Sequence, residues 1–295
     1  MLQNHSSLNI RRCASLKIIN NIKELKEEIK NLKGSTGLVP TMGALHKGHE
    51  SLIKRCVKEN DNAIVSVFVN PIQFGINEDL DKYPRTLEDD CKLCSDNGVK
   101  IVFAPKVSEM YDDNKDDLTL ICPPYSIVNI LCGKSRVGHF DGVCSVVAKL
   151  FNLTKANRAY FGKKDAQQLF IIKKMVKDLN FDIEIVPCEI VRCEDNLALS
   201  SRNKYLTSDE RKIALNISKS LFEACNLYKT KTATKRAIID NSLKLMEKLD
   251  IEYIEFVDKT TFKLQDEIND NTLMLIAART PETKTRLIDN MELCK

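Results

Sequence analysis

The chain has 295 residues and is 43% hydrophobic, which suits one large globular domain or two unequal ones and excludes a disordered chain. Its 45 basic and 41 acidic residues leave a formal charge of only +4, with both signs interleaved along helical stretches as on solvated faces, so no stripe for nucleic acid is expected. The cysteines, 11 in number, are scattered, as expected of buried thiols in a reducing cytoplasmic compartment; no apolar run reaches membrane-spanning length, and residues 1–7 lack the apolar core of a signal peptide.

His5 lies in a polar leader and reads as inert. Residues 18–33 carry Ile19, Ile22, Leu25 and Ile29 at helical spacing, and a short buried strand follows at 36–40. Pro40 and Gly43 mark a turn, and from Glu50 a helix places Leu52, Ile53, Cys56 and Val57 on one face. Two of the four histidines, His46 and His49, therefore fall near the first turn of that helix. Unpaired N–H groups and the helix dipole favour an anion there, and Gly43 and Gly48 allow close backbone approach. A capping pair or half of a zinc site are the alternatives. No Cys-x-x-Cys or further histidine follows at finger-like spacing, so a phosphate site is preferred.

Residues 63–69 form an almost continuously apolar strand. After it, Asn70-Pro-Ile-Gln73 reads either as amides for a small polar substrate or as a plain turn. Thr86 to Asn97 is helical, with Cys91 and Cys94 on its apolar face. Asp89 and Asp90 can hold a hydrated Mg2+, although Thr86 with Asp89 also makes a capping box, the stronger reading of the two. A strand at 99–104, a solvated acidic loop at 112–117, a helix at 139–154, a strand at 158–161 and a helix at 165–179 complete the alternation. Such alternation predicts a parallel sheet with helices on both faces. The segments at 40–49, 70–74 and 162–168 each follow a strand, so they should meet at one sheet edge.

Residues 133–142, with Arg136, Gly138 and His139, and residues 161–168, with Gly162, Lys164, Asp165, Gln167 and Gln168, combine glycines and cations at helix entries. Both suit phosphate, or are merely solvated. Ser200, Ser201 and Arg202 supply donors for a polyphosphate, or a polar turn. After Pro187 the texture changes: helices at 208–229 and 234–249 precede strands at 251–257, 272–278 and 285–289. The division expected is residues 1–188 and residues 189–295, the latter a smaller α+β domain. Taken together, the polar segments favour a nucleotide-dependent transferase.

In order, the segments Pro-Thr-Met-Gly-Ala-Leu-His-Lys-Gly-His from Pro40, Phe-Val-Asn-Pro-Ile-Gln-Phe from Phe68, Tyr-Pro-Arg-Thr from Tyr83, Gly-His-Phe-Asp-Gly-Val from Gly138, Phe-Gly-Lys-Lys-Asp-Ala-Gln-Gln from Phe161 and Ser-Ser-Arg-Asn from Ser200 resemble the pantoate–β-alanine ligase family. The resemblance implies an α/β fold: a Rossmann-like parallel-sheet N-terminal domain, with a smaller C-terminal lid. It also implies a homodimer, ATP and Mg2+ dependence, and condensation of pantoate with β-alanine through a pantoyl adenylate. By position, ATP would meet Pro40, Thr41, Met42, Gly43, His46, Gly48, His49, Gly162, Lys164, Asp165, Val191, Leu199, Ser200, Ser201 and Arg202. Of these, His46, His49, Lys164 and Arg202 would be catalytic. Asn70, Gln73, Gln168 and Met42 would hold substrate, and Asp89 the metal. Val137, Asn196 and Leu199 depart from the family pattern, without loss of a catalytic polar group.

Overall fold

The computed structural model describes residues 16–75, 78–111, 117–231 and 233–293; the leader with His5 and most of the acidic loop at 112–117 lie outside these. Lys17–Ile19 forms strand β1, and helix α1, Ile22–Asn31, follows almost at once. The continuous helix expected from residue 18 is therefore corrected. Asn21 interrupts it by capping α1, its side chain accepting the Glu24 N–H at 2.8 Å.

Strands β2 (Thr36–Thr41), β3 (Asn62–Val67), β4 (Ile101–Phe103), β5 (Arg158–Gly162) and β6 (Glu184–Cys188) join β1 in one parallel sheet, ordered β1-β4-β3-β2-β5-β6. Strand β6 was not anticipated; Pro187, which cannot donate to a ladder, is tolerated because β6 is an edge. Successive residues of the central strands point to opposite faces. Leu38, Ile64 and Ile101 enter one core with α1, α7 (His139–Thr154) and α8 (Ala166–Asp178). Val39, Val65 and Val102 enter the other with α2 (Lys47–Glu59) and α3 (Leu87–Asp96), where Cys91 and Cys94 are free, buried thiols. Three short helices, α4 (Val107–Met110), α5 (Tyr125–Val128) and α6 (Leu131–Ser135), lie between β4 and α7.

The remaining chain forms α9 (Ser208–Lys229), α10 (Lys235–Leu245) and an antiparallel sheet β7-β8-β9, built from Asp250–Asp258, Thr272–Arg279 and Arg286–Glu292. It encloses its own core around Ile217, Leu221, Phe256, Met274 and Ile276. A small apolar cluster in which Phe170 of α8 stacks on Phe262 ties this layer to the parallel sheet, and Asn290 of β9 donates to the carbonyls of Lys163 and Lys164 at 3.0 and 2.9 Å. Among the described residues no helix is long and apolar enough to cross a membrane.

Candidate active site

Crossovers leave β2 and β5 in opposite directions, and in such sheets a crevice opens at the carboxyl ends of the two strands. A cavity of about 230 Å³ lies there. It takes Pro40, Thr41, Met42, His46, Gly48 and His49 from beyond β2, Asn70 and Gln73 from beyond β3, and Gly162, Lys164, Asp165 and Gln168 from beyond β5. Val191, Leu199, Ser200, Ser201 and Arg202 close it from the connection to the C-terminal layer. The expected convergence on one edge is present.

His46 and His49 do cap the helix, contrary to the preference drawn from sequence. His46 Nδ1 accepts the Gly48 N–H at 3.1 Å, and His49 Nδ1 accepts the His46 N–H at 3.4 Å. Capping and anion binding are compatible, because a neutral ring that accepts at Nδ1 carries its proton on Nε2. Neither Nε2 has a protein partner among the described residues, so each ring has a spare donor. Burial pushes the His46 pKa down to about 4, helped by Lys164, and the His49 pKa down to about 3, helped by His46 and Lys164. In the free protein both rings are neutral N–H donors throughout the physiological range.

Lys164 stands opposite, with Nζ 3.6 Å from Asp165. Burial would raise the Asp165 pKa, but Lys164 and then Arg202 hold it below the usual carboxylate range. Arg202 lies on the 3-10 turn Ser201–Tyr205 and grips Asp79 with two hydrogen bonds of 3.1 and 2.8 Å. Ser200 caps that turn by accepting the Arg202 N–H, and the Ser201 hydroxyl lies 3.2 Å from the Tyr83 hydroxyl.

The amide end is held by a chain of buried groups. Tyr111 donates to Asn70 Oδ1 at 2.8 Å, Asn70 Nδ2 donates to Gln73 Oε1 and the Gly142 carbonyl, and Gln73 Nε2 reaches Met42 Sδ at 3.2 Å. Gly142 permits this approach, since a Cβ there would stand 2.7 Å from the Gln73 backbone. Val143, Val146, Val147 and Leu150, one stripe of α7, form an apolar wall beside these amides.

The match to the pantoate-beta-alanine ligase family spans residues 17–292, nearly the whole chain. The chain belongs to that family. A pantothenate synthetase of Helicobacter acinonychis is 50% identical over 276 residues, which cover 94% of this chain and 99% of that protein. A crystal structure of the pantothenate synthetase of Thermus thermophilus superposes with a TM-score of 0.90 at 38% identity, covering 95% of this chain and 100% of that one. A Francisella tularensis pantoate-beta-alanine ligase, in complex with beta-gamma ATP and β-alanine, gives 0.78 at 36% identity, with 95% and 98% covered.

Four expectations for this family member need correction. Asp89 is exposed on α3 and does not line the cavity; its neighbour Asp90 is buried and accepts the Ala44 and Leu45 N–H groups at 3.0 and 2.7 Å. The proposed Thr86–Asp89 capping box is likewise absent: Thr86 bonds Asp90 instead. Gly43 does not line the cavity either. With φ +82° it turns the chain over Asp90, where a Cβ would stand 2.9 Å from the carboxylate. The fourth correction concerns residues 133–142. Arg136 pairs with Glu78 at 2.6 Å, and His139 is buried between Arg136 and the Gln73 carbonyl at 2.8 Å from each. This segment positions Gln73, and neither Arg136 nor His139 lines the cavity.

Sequence reasoning missed Tyr83, the α7 wall and Asn290. The wall alone carried a signal, its helical period. Gln167 and Gln168 looked alike in sequence, yet Gln167 is bound to the carbonyls of Ile127 and Ile130 while Gln168 faces the cavity. Asn196, in place of the family's glycine, adopts φ +70°, as the departure required.

Proposed function

We propose that this cavity condenses (R)-pantoate with β-alanine to pantothenate at the expense of ATP, through pantoyl adenylate, releasing pyrophosphate and AMP. The observation that carries the reading is the polarity of the cavity. One end presents two neutral imidazole N–H donors, Lys164 and Arg202; the other presents buried amides beside an apolar wall. A triphosphate suits the first. A hydroxy acid bearing geminal methyl groups suits the second.

A free carboxylate is a poor electrophile, and adenylation supplies the leaving group. Pantoate, held by Gln73 and Gln168 beside Met42, with Asn70 orienting Gln73, attacks the α-phosphate. His46, His49 and Lys164 face the charge that develops there, and preorganised donors in a water-poor cleft stabilise it strongly. Gly162, Asp165 and Val191 are assigned to the nucleoside, Pro40, Thr41, Met42, Gly48 and Leu199 to its walls, and Ser200, Ser201 and Arg202 to the leaving phosphates. The amine of β-alanine then attacks the acyl carbon, and AMP departs. We assign His49 charge stabilisation through Nε2–H, the ring nitrogen its capping hydrogen bond leaves free; its lowered pKa makes it a neutral donor in the free protein.

The residues do not fit a protein-held Mg2+. Among the described residues no group of three metal-ligating side chains exists, Asp89 points elsewhere and Asp90 is engaged by the backbone. Mg2+ bound by phosphates with several waters needs no such cage.

The two-domain division at 188/189, with the C-terminal part as a lid, is supported by the separate cores. A homodimer rests on family membership, and sedimentation equilibrium tests it. A cytoplasmic, reducing location is supported by the free thiols of the described residues. The reaction is tested by mixing ATP, Mg2+, pantoate and β-alanine and omitting each in turn. AMP should appear only in the complete mixture; AMP formation without pantoate would sink the assignment.

A further inference from the structure

Two more cavities adjoin the first, one of about 60 Å³ and one of about 500 Å³. Cations link all three. Lys164 lines the reaction cavity and the small one, Arg202 lines all three, and Arg136 and Arg286 line the small and large ones. Lys82, Arg279 and Lys284 then line the large one, which lies between the Glu78–Tyr83 segment and the β8–β9 turn. The large cavity thus carries six cationic side chains against two carboxylates, Glu78 and Asp79. Both carboxylates are already bound to guanidinium groups, Asp79 to Arg202 and Glu78 to Arg136. Arg286 is paired with Glu252 at 2.8 Å, and Arg279 stands 3.9 Å from the same carboxylate. Lys82 and Lys284 carry no ion pair among the described residues.

We infer that the large cavity is a pyrophosphate site: the polyanion released by adenylation moves from Lys164 and Arg202, past Arg136 and Arg286, to Arg279, Lys284 and Lys82, and leaves there. The inference rests on the adenylation reading above. Adenylation is reversible, so pyrophosphate that stays beside the adenylate can re-form ATP; its departure commits the adenylate, which must stay. The two products differ in charge and in greasiness. The apolar wall of α7 and the amides retain the pantoyl group, and offer no cation to a departing polyanion. Along the other direction each guanidinium can pass the anion to the next, and a charged cleft of one sign focuses counter-ions. Glu78 and Asp79 occupy the arginines when no phosphate does.

The test uses the full-length Arg279→Gln/Lys284→Asn double variant. Asn suits position 284, where φ is +53°. Two rates are measured at fixed ionic strength: single-turnover formation of pantoyl adenylate without β-alanine, and inhibition of pantothenate formation by added pyrophosphate. Adenylate formation should stay within about two-fold, while the pyrophosphate inhibition constant should rise roughly five-fold or more. The conservative Arg279→Lys/Lys284→Arg variant should restore it. An unchanged inhibition constant in the folded double variant overturns the inference. So does an equal rise in the KM for ATP, or an equal change in inhibition by inorganic phosphate. If the unaltered protein forms no adenylate from pantoate and ATP, the reaction itself is misassigned, a failure distinct from the others.

Discussion

His46 and His49 cap one helix reciprocally, each through Nδ1, with their ring centroids 4.1 Å apart. The same hydrogen bonds that start α2 therefore choose the tautomer that faces the cavity. Local folding and the proposed stabilisation of phosphate charge share two side chains.

The first prediction concerns pH. Both pKa values are lowered, to about 4 and about 3, so the free enzyme takes up no histidine proton at these positions above about pH 5. The kcat/KM of adenylation, which reports the free enzyme, should show no acid limb near the ordinary 6.5 and should fall only toward pH 4. His46→Ala should lower stability by about 1 kcal/mol through the lost cap and reduce turnover far more than that loss explains. An acid limb centred near 6.5 that vanishes in His49→Gln would contradict the neutral-donor assignment.

On the proposed assignment of Arg202 to the phosphates, Asp79 competes with ATP. Its carboxylate fills the fork of Arg202 that a phosphate would otherwise take. Asp79→Asn should lower the KM for ATP roughly three-fold with little change in thermal stability, since both side chains are partly exposed. Steady-state kinetics with varied ATP would show this; a raised KM would mean that Asp79 chiefly orients Arg202.

Gly142→Ala forces a Cβ to within 2.6 Å of the Ile72 carbonyl and 2.7 Å of the Gln73 backbone. The 3-10 turn Pro71–Gln73 must shift. A cost of about 1–3 kcal/mol in stability is expected, with the KM for pantoate rising more than the KM for ATP. Calorimetry and the two KM values check it, and equal effects on both substrates would place Gln73 elsewhere.

Glu210 is fully buried and accepts from the Glu282 and Thr283 N–H groups at 3.0 and 2.8 Å and from the Thr283 hydroxyl, clamping the β8–β9 turn onto α9. Burial alone would raise its pKa; the backbone and hydroxyl donors instead bring it down to about 2. A depressed carboxylate pKa stabilises the fold above the unfolded value of about 4.3, and that stability is lost as pH falls toward 2. Glu210→Gln should therefore melt below the unaltered protein at pH 7, with the gap closing between about pH 4 and pH 2. A gap independent of pH would show that the carboxylate charge is not what holds the turn.

The elements were legible where one signal dominated. Residues 139–154 and 208–229 were read to their ends because their apolar periods run unbroken between polar boundaries. β1 merged with α1 because Ile19 and Ile22 happen to keep helical spacing across Asn21. Motifs that follow parallel strands were bound to meet, so the part of the cavity lining that they supply was legible too. The error at Asp89 was rotational: Asp89 and Asp90 differ by about 100° around α3, which leaves one exposed and turns the other onto the Ala44 and Leu45 N–H groups. Between Gln167 and Gln168 the same ambiguity was resolved by the family resemblance, which picked Gln168. Asn290 was invisible for another reason: it orients the Lys163 and Lys164 carbonyls from more than a hundred residues away.

The sequence by itself determined the family, the α/β alternation and most of the polar residues that line the cavity, because these depend on residue type and on order along the chain. Tertiary structure alone decided the charge states and pairings within it. Whether His49 is an acid or a neutral donor depends on burial beside Lys164, and whether Arg202 is free depends on Asp79. A pKa or an ion pair is a property of distances through space, and those distances exist only once the two sheets have come together.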